Sequence, residues 1–386
     1  MKQCKPKYYF DYASTTPIDE HILDSYTKVL QTYYANSQSV YALGLEVHQL
    51  VETSRKKIAH MLSVQSEEII FTSGASEANS FAIKGFALQY SHRGKHIIAN
   101  RMEHSSTLQA LAQLAEVFSF DISYVDVAED GRISLAEIQK HMRKDTILVC
   151  LMAVNNEIGS RQDIEAIGAY LKKNSRSAFF VDGVQQIGKY PLHLEHVDLY
   201  TWTTHKLYGV KGCGVLVKKK NISLLPLIHG GQQELGIRGG TLNAPACIVA
   251  AKTLRLAMQK SAQHMDHVRC LSNLLYDELS QLAEIDINSN QETCIPYIFN
   301  FSWTKMNSEI MMNALNERNI YISSQSACSS KTREPSHTLL ALGYRKQRAL
   351  ATIRISLSHY TTKEEVEYLI QNIKEIVYEY TSEHCV

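Results

Sequence analysis

The sequence predicts an α/β protein: a large domain built on a mostly parallel sheet, followed by a smaller C-terminal α+β domain. Between Glu46 and Lys218, short apolar runs of strand length alternate with stretches of helical spacing, the pattern of repeated βα units. Those runs are apolar almost throughout, as expected of strands covered on both faces. Beyond Ala250 the alternation gives way to one long helical stretch and then two further strand signals.

In chain order, EVHQLVETSRKKIAHML places Val47, Leu50, Val51, Ile58, Met61 and Leu62 on one helical face, and EEIIFTSG reads as a short buried strand. ASEANSFAIKGFALQY returns to helix. KHIIAN is a strand, SSTLQALAQLA a helix, and FDISYVDV and TILVCLMAV are strands. The DIEAIGAYLKK helix leads into three more strands, AFFVD, VDLYTWT and GCGVLVK. The stretch from Ala244 to Leu282 reads as one long helix, followed by strands at YIFNFSW and TIRISLS. No tandem repeat interrupts the series.

Composition narrows the function class. The chain has 386 residues, of which 45% are hydrophobic and 20% charged, enough to fill sizeable cores. Forty basic and thirty-nine acidic side chains leave a net charge of +1, so no overall field attracts nucleic acid or an anionic membrane. MKQCKPKYYFDYAS carries charge and tyrosine where a secretory signal needs an apolar run, and no apolar run is of membrane-spanning length; a cytoplasmic location is expected. Eight cysteines show neither a CxxC pair nor finger spacing, so no structural metal or disulfide framework is expected. Cys328 stands apart, in the serine-rich SSQSACSSKTREPSH, while most of the others read as buried, inert thiols.

Chemistry concentrates between Phe179 and Gly212. Asp182 closes AFFVD, and Thr203, His205 and Lys206 follow LYTW, so successive parallel strands would deliver an acid and a lysine to one sheet edge, where ligands of open α/β sheets bind. Pyridoxal phosphate needs that pair: a carboxylate beside the pyridine nitrogen and a lysine for the Schiff base. Either residue alone is also what a strand cap or a solvated turn would show. FTSGASEAN adds a tight turn between strand and helix, where backbone N–H groups and the Ser76 hydroxyl could face an anion or simply cap the helix.

Taken together these motifs resemble the cysteine desulfurase family of NifS/IscS type, within the class V aminotransferase-like enzymes. The resemblance rests on DYASTTP, FTSGASEAN, EHSS, NNEIG, VDGVQQIGK, THKLYGVKG, RGGTLN, SACSS, PSH and IRIS, in that order from Asp11 to Ser356. It implies a pyridoxal 5′-phosphate enzyme of fold type I with a seven-stranded sheet. It assigns residues 16–258 to the large domain, and 1–15 with 259–386 to the small one. It also implies Lys206 as the cofactor-linked lysine, Asp182 as partner of the ring nitrogen, Gln185 and Asn155 near the ring hydroxyl, and His104 stacked on the ring. Ala75, Ser76, Thr203 and His205 would cradle the phosphate, and Thr241 would reach the phosphate of the neighbouring subunit in a homodimer. Arg354, helped by Asn155, would take the substrate carboxylate, and Cys328 would be the nucleophile that leaves as a persulfide.

The implied reaction converts L-cysteine to L-alanine and passes sulfur to an acceptor protein, an iron–sulfur scaffold or a thiolation enzyme. Selenocysteine lyase or another class V activity is the alternative, although a transaminase would not need Cys328. Departures from the family pattern fall at Tyr41, Gln232 and Ser358. A positive φ at Ser358, where glycine is usual, would cost about 1 kcal/mol.

Overall fold

A computed structural model describes residues 7–324 and 334–383. A two-residue strand β1 (Tyr8–Tyr9) precedes the strands of the central sheet: β2 (Ile69–Thr72), β3 (His96–Asn100), β4 (Asp121–Val125), β5 (Thr146–Met152), β6 (Ala178–Asp182), β7 (Leu199–Thr203) and β8 (Gly214–Lys218). Four short strands follow: β9 (Asp286–Ile287), β10 (Ile298–Ser302), β11 (Ile320–Tyr321) and β12 (Thr352–Ser356).

The seven-stranded sheet has the order β2-β8-β7-β6-β5-β3-β4. β8 pairs antiparallel with both neighbours and every other pair is parallel, so six strands end on the same edge and β8 begins there. Burial on both faces explains the apolar runs. Along β6, Phe179 and Val181 join the core on one side of the sheet, and Ala178 and Phe180 that on the other. Helices Ala42–Met61 and Ala244–Gln259 cover the first side, while Ala75–Ser80 and Ser105–Phe118 cover the second.

A separate core unites Phe10 and Ala13 with Val268, Leu275, Phe299, Phe301, Ile353, Ile355 and Ile373. β12-β10-β9 form its antiparallel sheet, and β1 pairs with β11 beside it. The long helix read from Ala244 onward is two helices, Ala244–Gln259 and Ser261–Leu279, because Lys260 takes φ −127° and breaks the hydrogen-bond ladder. Helix Glu20–Thr32, capped by Asp19, has no counterpart in the sequence reading. Ser358 is absent from the positive-φ positions, so the expected strain does not arise. Its hydroxyl instead pairs with that of Tyr208 at 2.5 Å.

Candidate active site

The common strand edge opens on a cavity of about 550 Å³ whose wall includes Ala13, Ser14, Ala75, Ser76, His104, Asp182, Gln185, Thr203, His205, Lys206 and Arg354. Register explains the meeting. Asp182 pairs with Thr201, so β6 ends two residues short of β7, and Lys206 follows on a 3-10 turn (Thr204–Lys206) that folds back over that end. Tyr208, just beyond, holds a left-handed φ of 62°, a strained conformation for a bulky residue. It is fixed by its N–H to Thr16 Oγ1 (2.8 Å) and by Ser358.

Asp182 is buried, and both its oxygens are held. Asn79 Nδ2 donates to Oδ2 at 2.7 Å, and the Val184 N–H donates to Oδ1 at 3.0 Å. The amide of Asn79 is in turn fully used, its second Nδ2 hydrogen going to Ser106 Oγ (3.0 Å) while Oδ1 accepts from Thr201 Oγ1 (2.5 Å). A flipped amide would set Oδ1 against the carboxylate, so this network fixes its orientation. Asp182 thus faces the cavity with both carboxyl oxygens held in place. Asn79 sits within a motif the sequence had offered, but its role is tertiary and is visible only once the helix Ala75–Ser80 lies over β6 and β7.

His104 caps the helix Ser105–Phe118, accepting at Nδ1 from the Ser106 N–H (3.1 Å). Nδ1 therefore carries a lone pair and the ring proton lies on Nε2. Burial pushes this imidazole below its usual range, outweighing the nearby Asp182, so it is neutral at pH 7. Beside it Glu103 is fully buried, with Oε1 accepting from Asn100 Nδ2 (2.6 Å) and the Met152 N–H (2.8 Å). Burial drives its carboxyl well up, and the charge of Asp182 adds to the effect.

Lys206 Nζ donates to the carbonyls of Ala13 and Ser14, each at 2.5 Å. Arg354 is 1% exposed. It donates through Nη1 to the Asn156 carbonyl (2.8 Å), and through Nη2 to Asp11 Oδ1 (2.8 Å) and Ser14 Oγ (2.6 Å). Its Nε–H has no protein partner among the described residues.

The turn after β2 reaches the same edge. Gly74 precedes helix Ala75–Ser80 without any side-chain cap, leaving the first N–H groups of the helix unpaired by a capping side chain. Gly214 sits so close to Gly74 that a Cβ on it would overlap the Gly74 backbone. Glu77 pins the turn by accepting from the Ser73 N–H (2.8 Å), and Arg238 forks onto Glu77 at 2.8 and 3.1 Å. Thr203 gives its proton to the Cys213 carbonyl (2.8 Å). The His205 ring meets Thr15 Oγ1 at 3.1 Å, and burial, then Lys206 and Lys211, push its pKa down to about 4.

Two expected residues lie elsewhere. Asn155 is fully buried behind the wall, its Oδ1 accepting from the N–H groups of Glu157 (2.8 Å) and Ile158 (2.9 Å), while Asn156 lines the cavity in its place. Thr241 is exposed, outside the cavity of its own chain. Cys328 lies outside the described residues, as do Cys4 and Cys385. Among the described residues no His, Cys, Asp or Glu cluster suits a metal, and no helix is long and apolar enough to cross a membrane.

The cavity wall thus brings together a carboxyl group held at both oxygens, a helix start without a side-chain cap, an amine and a guanidinium. The family model for aminotransferase class-V matches residues 8–369. Among curated proteins, the cysteine desulfurase IscS of Pasteurella multocida is 39% identical over 376 residues, covering 96% of this chain and 92% of that protein. The protein of the same name from Haemophilus influenzae is 38% identical over 373 residues, covering 95% and 91%. Among solved structures, a NifS-like protein superposes with a TM-score of 0.90 at 34% identity over 96% of this chain and 99% of that one. A structure described as SspA in complex with cysteine gives 0.79 at 31% identity, over 92% and 100%.

Proposed function

The chain belongs to the aminotransferase class-V family, and from that membership we infer that it is a pyridoxal phosphate-dependent cysteine desulfurase, turning L-cysteine into L-alanine. The observation that carries this reading is the meeting of Asp182 and Lys206 on one cavity wall, in a chain that aligns over 96% of its length with cysteine desulfurases.

The residues present fit the cofactor. Asp182 suits a ring nitrogen, the uncapped turn at Gly74–Ser76 suits a phosphate, and Gly214 keeps that cradle open where a Cβ would close it. When bound, the cofactor would supply an electron-withdrawing ring that acidifies the proton on the substrate Cα. Asp182, steadied by Asn79, holds a proton at the ring nitrogen. Lys206 Nζ is the base for the proton on the substrate Cα, and neutral His104 offers an N–H at Nε2. Arg354, on the cavity wall, takes the substrate carboxylate. The Cys328 thiolate attacks the substrate sulfur; the Cβ–S bond breaks, sulfur remains on Cys328 as a persulfide, and the three-carbon remainder leaves as alanine.

This reading includes a homodimer in which Thr241 of each chain serves the other's phosphate. Its exposure, together with exposed Leu30, Tyr34, Val40 and Tyr41, supports such a contact. It also includes a cytoplasmic acceptor protein for the sulfur, an iron–sulfur scaffold or a thiolation enzyme.

Incubation with L-cysteine, followed by peptide mass spectrometry, tests the assignment. Alanine should accumulate and a persulfide should appear on Cys328. Lys206→Ala should yield neither, while Cys328→Ala should keep the cysteine-induced spectral change without the persulfide. A keto acid in place of alanine would establish transamination, and turnover of selenocysteine alone would establish the lyase.

A further inference from the structure

Lys189 is a cation that the desulfuration scheme leaves without a task. It follows Gly188, whose φ of 70° turns the chain so that the lysine reaches back along the VDGVQQIGK segment. Its Nζ donates to Gln185 Oε1 at 2.7 Å and lies 5.9 Å from the centre of the Tyr297 ring. With Lys206 it lines a second cavity of about 280 Å³.

Gln185 belongs to the wall of the main cavity. Because Lys189 occupies its carbonyl oxygen, the amide must present N–H on its other side, and there Nε2 donates to the Ala13 carbonyl at 2.9 Å. That carbonyl also accepts from Lys206 Nζ. A connected chain of hydrogen bonds therefore runs from Lys189 through Gln185 and the Ala13 carbonyl to the reactive lysine. Lys189 and the Ala13 carbonyl together fix the sense of the Gln185 amide, since a flip would set its oxygen against the Ala13 oxygen and its N–H groups against the ammonium.

We propose that Lys189 is a positioning residue for the cofactor pocket: its ammonium locks the Gln185 amide with N–H toward Ala13 and the cavity, and so holds the site in the state that accepts the anionic cofactor. The inference rests on the pyridoxal phosphate reading above. Charge supports it. Burial, then the like charges of Lys206 and Arg354, lower Lys189 to about 7, so its charge changes around neutrality. The groups facing it are Lys206 and His205 from the turn after β7, Arg354 from β12 and Tyr297 ahead of β10; His205, at about 4, is neutral across pH 6 to 8. Across the second cavity stand Asp19, Lys260, His264 and His359. Asp19 is the one carboxylate among the described residues lining that space. When Lys189 loses its proton, the charge-assisted bond to Gln185 becomes a neutral one and the pocket loses a positive charge.

The test uses full-length protein stripped of cofactor and titrated with pyridoxal phosphate at pH 6, 7 and 8, read by absorbance. Affinity of the wild type should fall as pH rises through about 7. Lys189→Met should bind roughly tenfold more weakly at pH 6, the worth of one charge-assisted hydrogen bond, and should lose the step near 7. Lys189→Arg, which keeps its charge throughout, should bind as the wild type does at pH 6 and should also lose the step. A merely structural lysine would lower the melting temperature of the stripped protein without moving this profile. Wild-type affinity in Lys189→Met, or a persisting step in Lys189→Arg, overturns the proposal while leaving the desulfurase reading intact. A wild-type protein that takes up no pyridoxal phosphate overturns both.

Discussion

Removing the Asn79 side chain tests whether the orientation of Asp182 is built by its neighbours. In Asn79→Ala, Asp182 Oδ2 loses a 2.7 Å donor and the buried Thr201 hydroxyl loses its 2.5 Å acceptor. A hydrogen bond to a charged group contributes about 1.5–3 kcal/mol, and a stranded buried hydroxyl costs about 1–3 kcal/mol. The stability loss should therefore be on the order of 2.5–6 kcal/mol. The part felt by Asp182 alone corresponds to roughly a 10- to 150-fold drop in turnover. Thr201→Val removes only the hydroxyl and should leave turnover within a few-fold of wild type. The assay pairs alanine production with urea unfolding of the same preparations, and the double variant completes a cycle that measures the Asn79–Thr201 coupling, so that the effect of Asn79→Ala in the Thr201→Val background is free of the stranded hydroxyl. If Asn79→Ala unfolds more easily yet turns over at the wild-type rate, Asn79 is a packing residue and the chain of reasoning from Asn79 to Asp182 fails.

Two other expectations follow from the same wall. Gly214→Ala should displace the Gly74 turn and weaken cofactor affinity at least tenfold with little change in β8, because the added Cβ meets backbone rather than a movable side chain; equal affinity in titration of the stripped protein would show that the turn does not hold the phosphate. His205 has a folded pKa of about 4 against an ordinary value of 6.5. The unfolded chain therefore binds more protons between those values, and stability is lost as pH falls through that window. His205→Asn should flatten this acid limb, measured as the urea midpoint at pH 5 compared with pH 7, and an unchanged pH slope would contradict it.

Much of this architecture was legible because it depends on local pattern. Nine strands could be read as apolar runs, and Asp182 and Lys206 could be placed together because parallel strands end on one edge. What escaped depends on contacts between distant segments. Asn79 becomes meaningful only beside Asp182 and Thr201, and Arg238 only when it forks onto Glu77. Asn155 and Asn156 are adjacent identical residues, and only the turn that Asn155 itself organises decides which one faces the cavity. Lys260 breaks a stretch whose apolar spacing gives no sign of an end, having neither glycine nor proline at the break. Ser358 escaped for another reason: the turn simply does not need the conformation that glycine favours.

The carbonyls that receive the Lys206 amine belong to Ala13 and Ser14, and the segment carrying them is stitched to β12. Ala13 N–H donates to Ser356 Oγ at 2.9 Å across 343 residues of sequence, and the Ser356 N–H returns a bond to the Phe10 carbonyl at 2.8 Å. During synthesis the ribosome emits the Ala13 segment long before Ser356, a delay on the order of tens of seconds at about 5–20 residues per second. Until then the large sheet can close around Asp182 and Lys206, but the lysine has no finished berth. The contacts that seat the Lys206 amine are thus completed only after β12 has been made, among the last steps of folding.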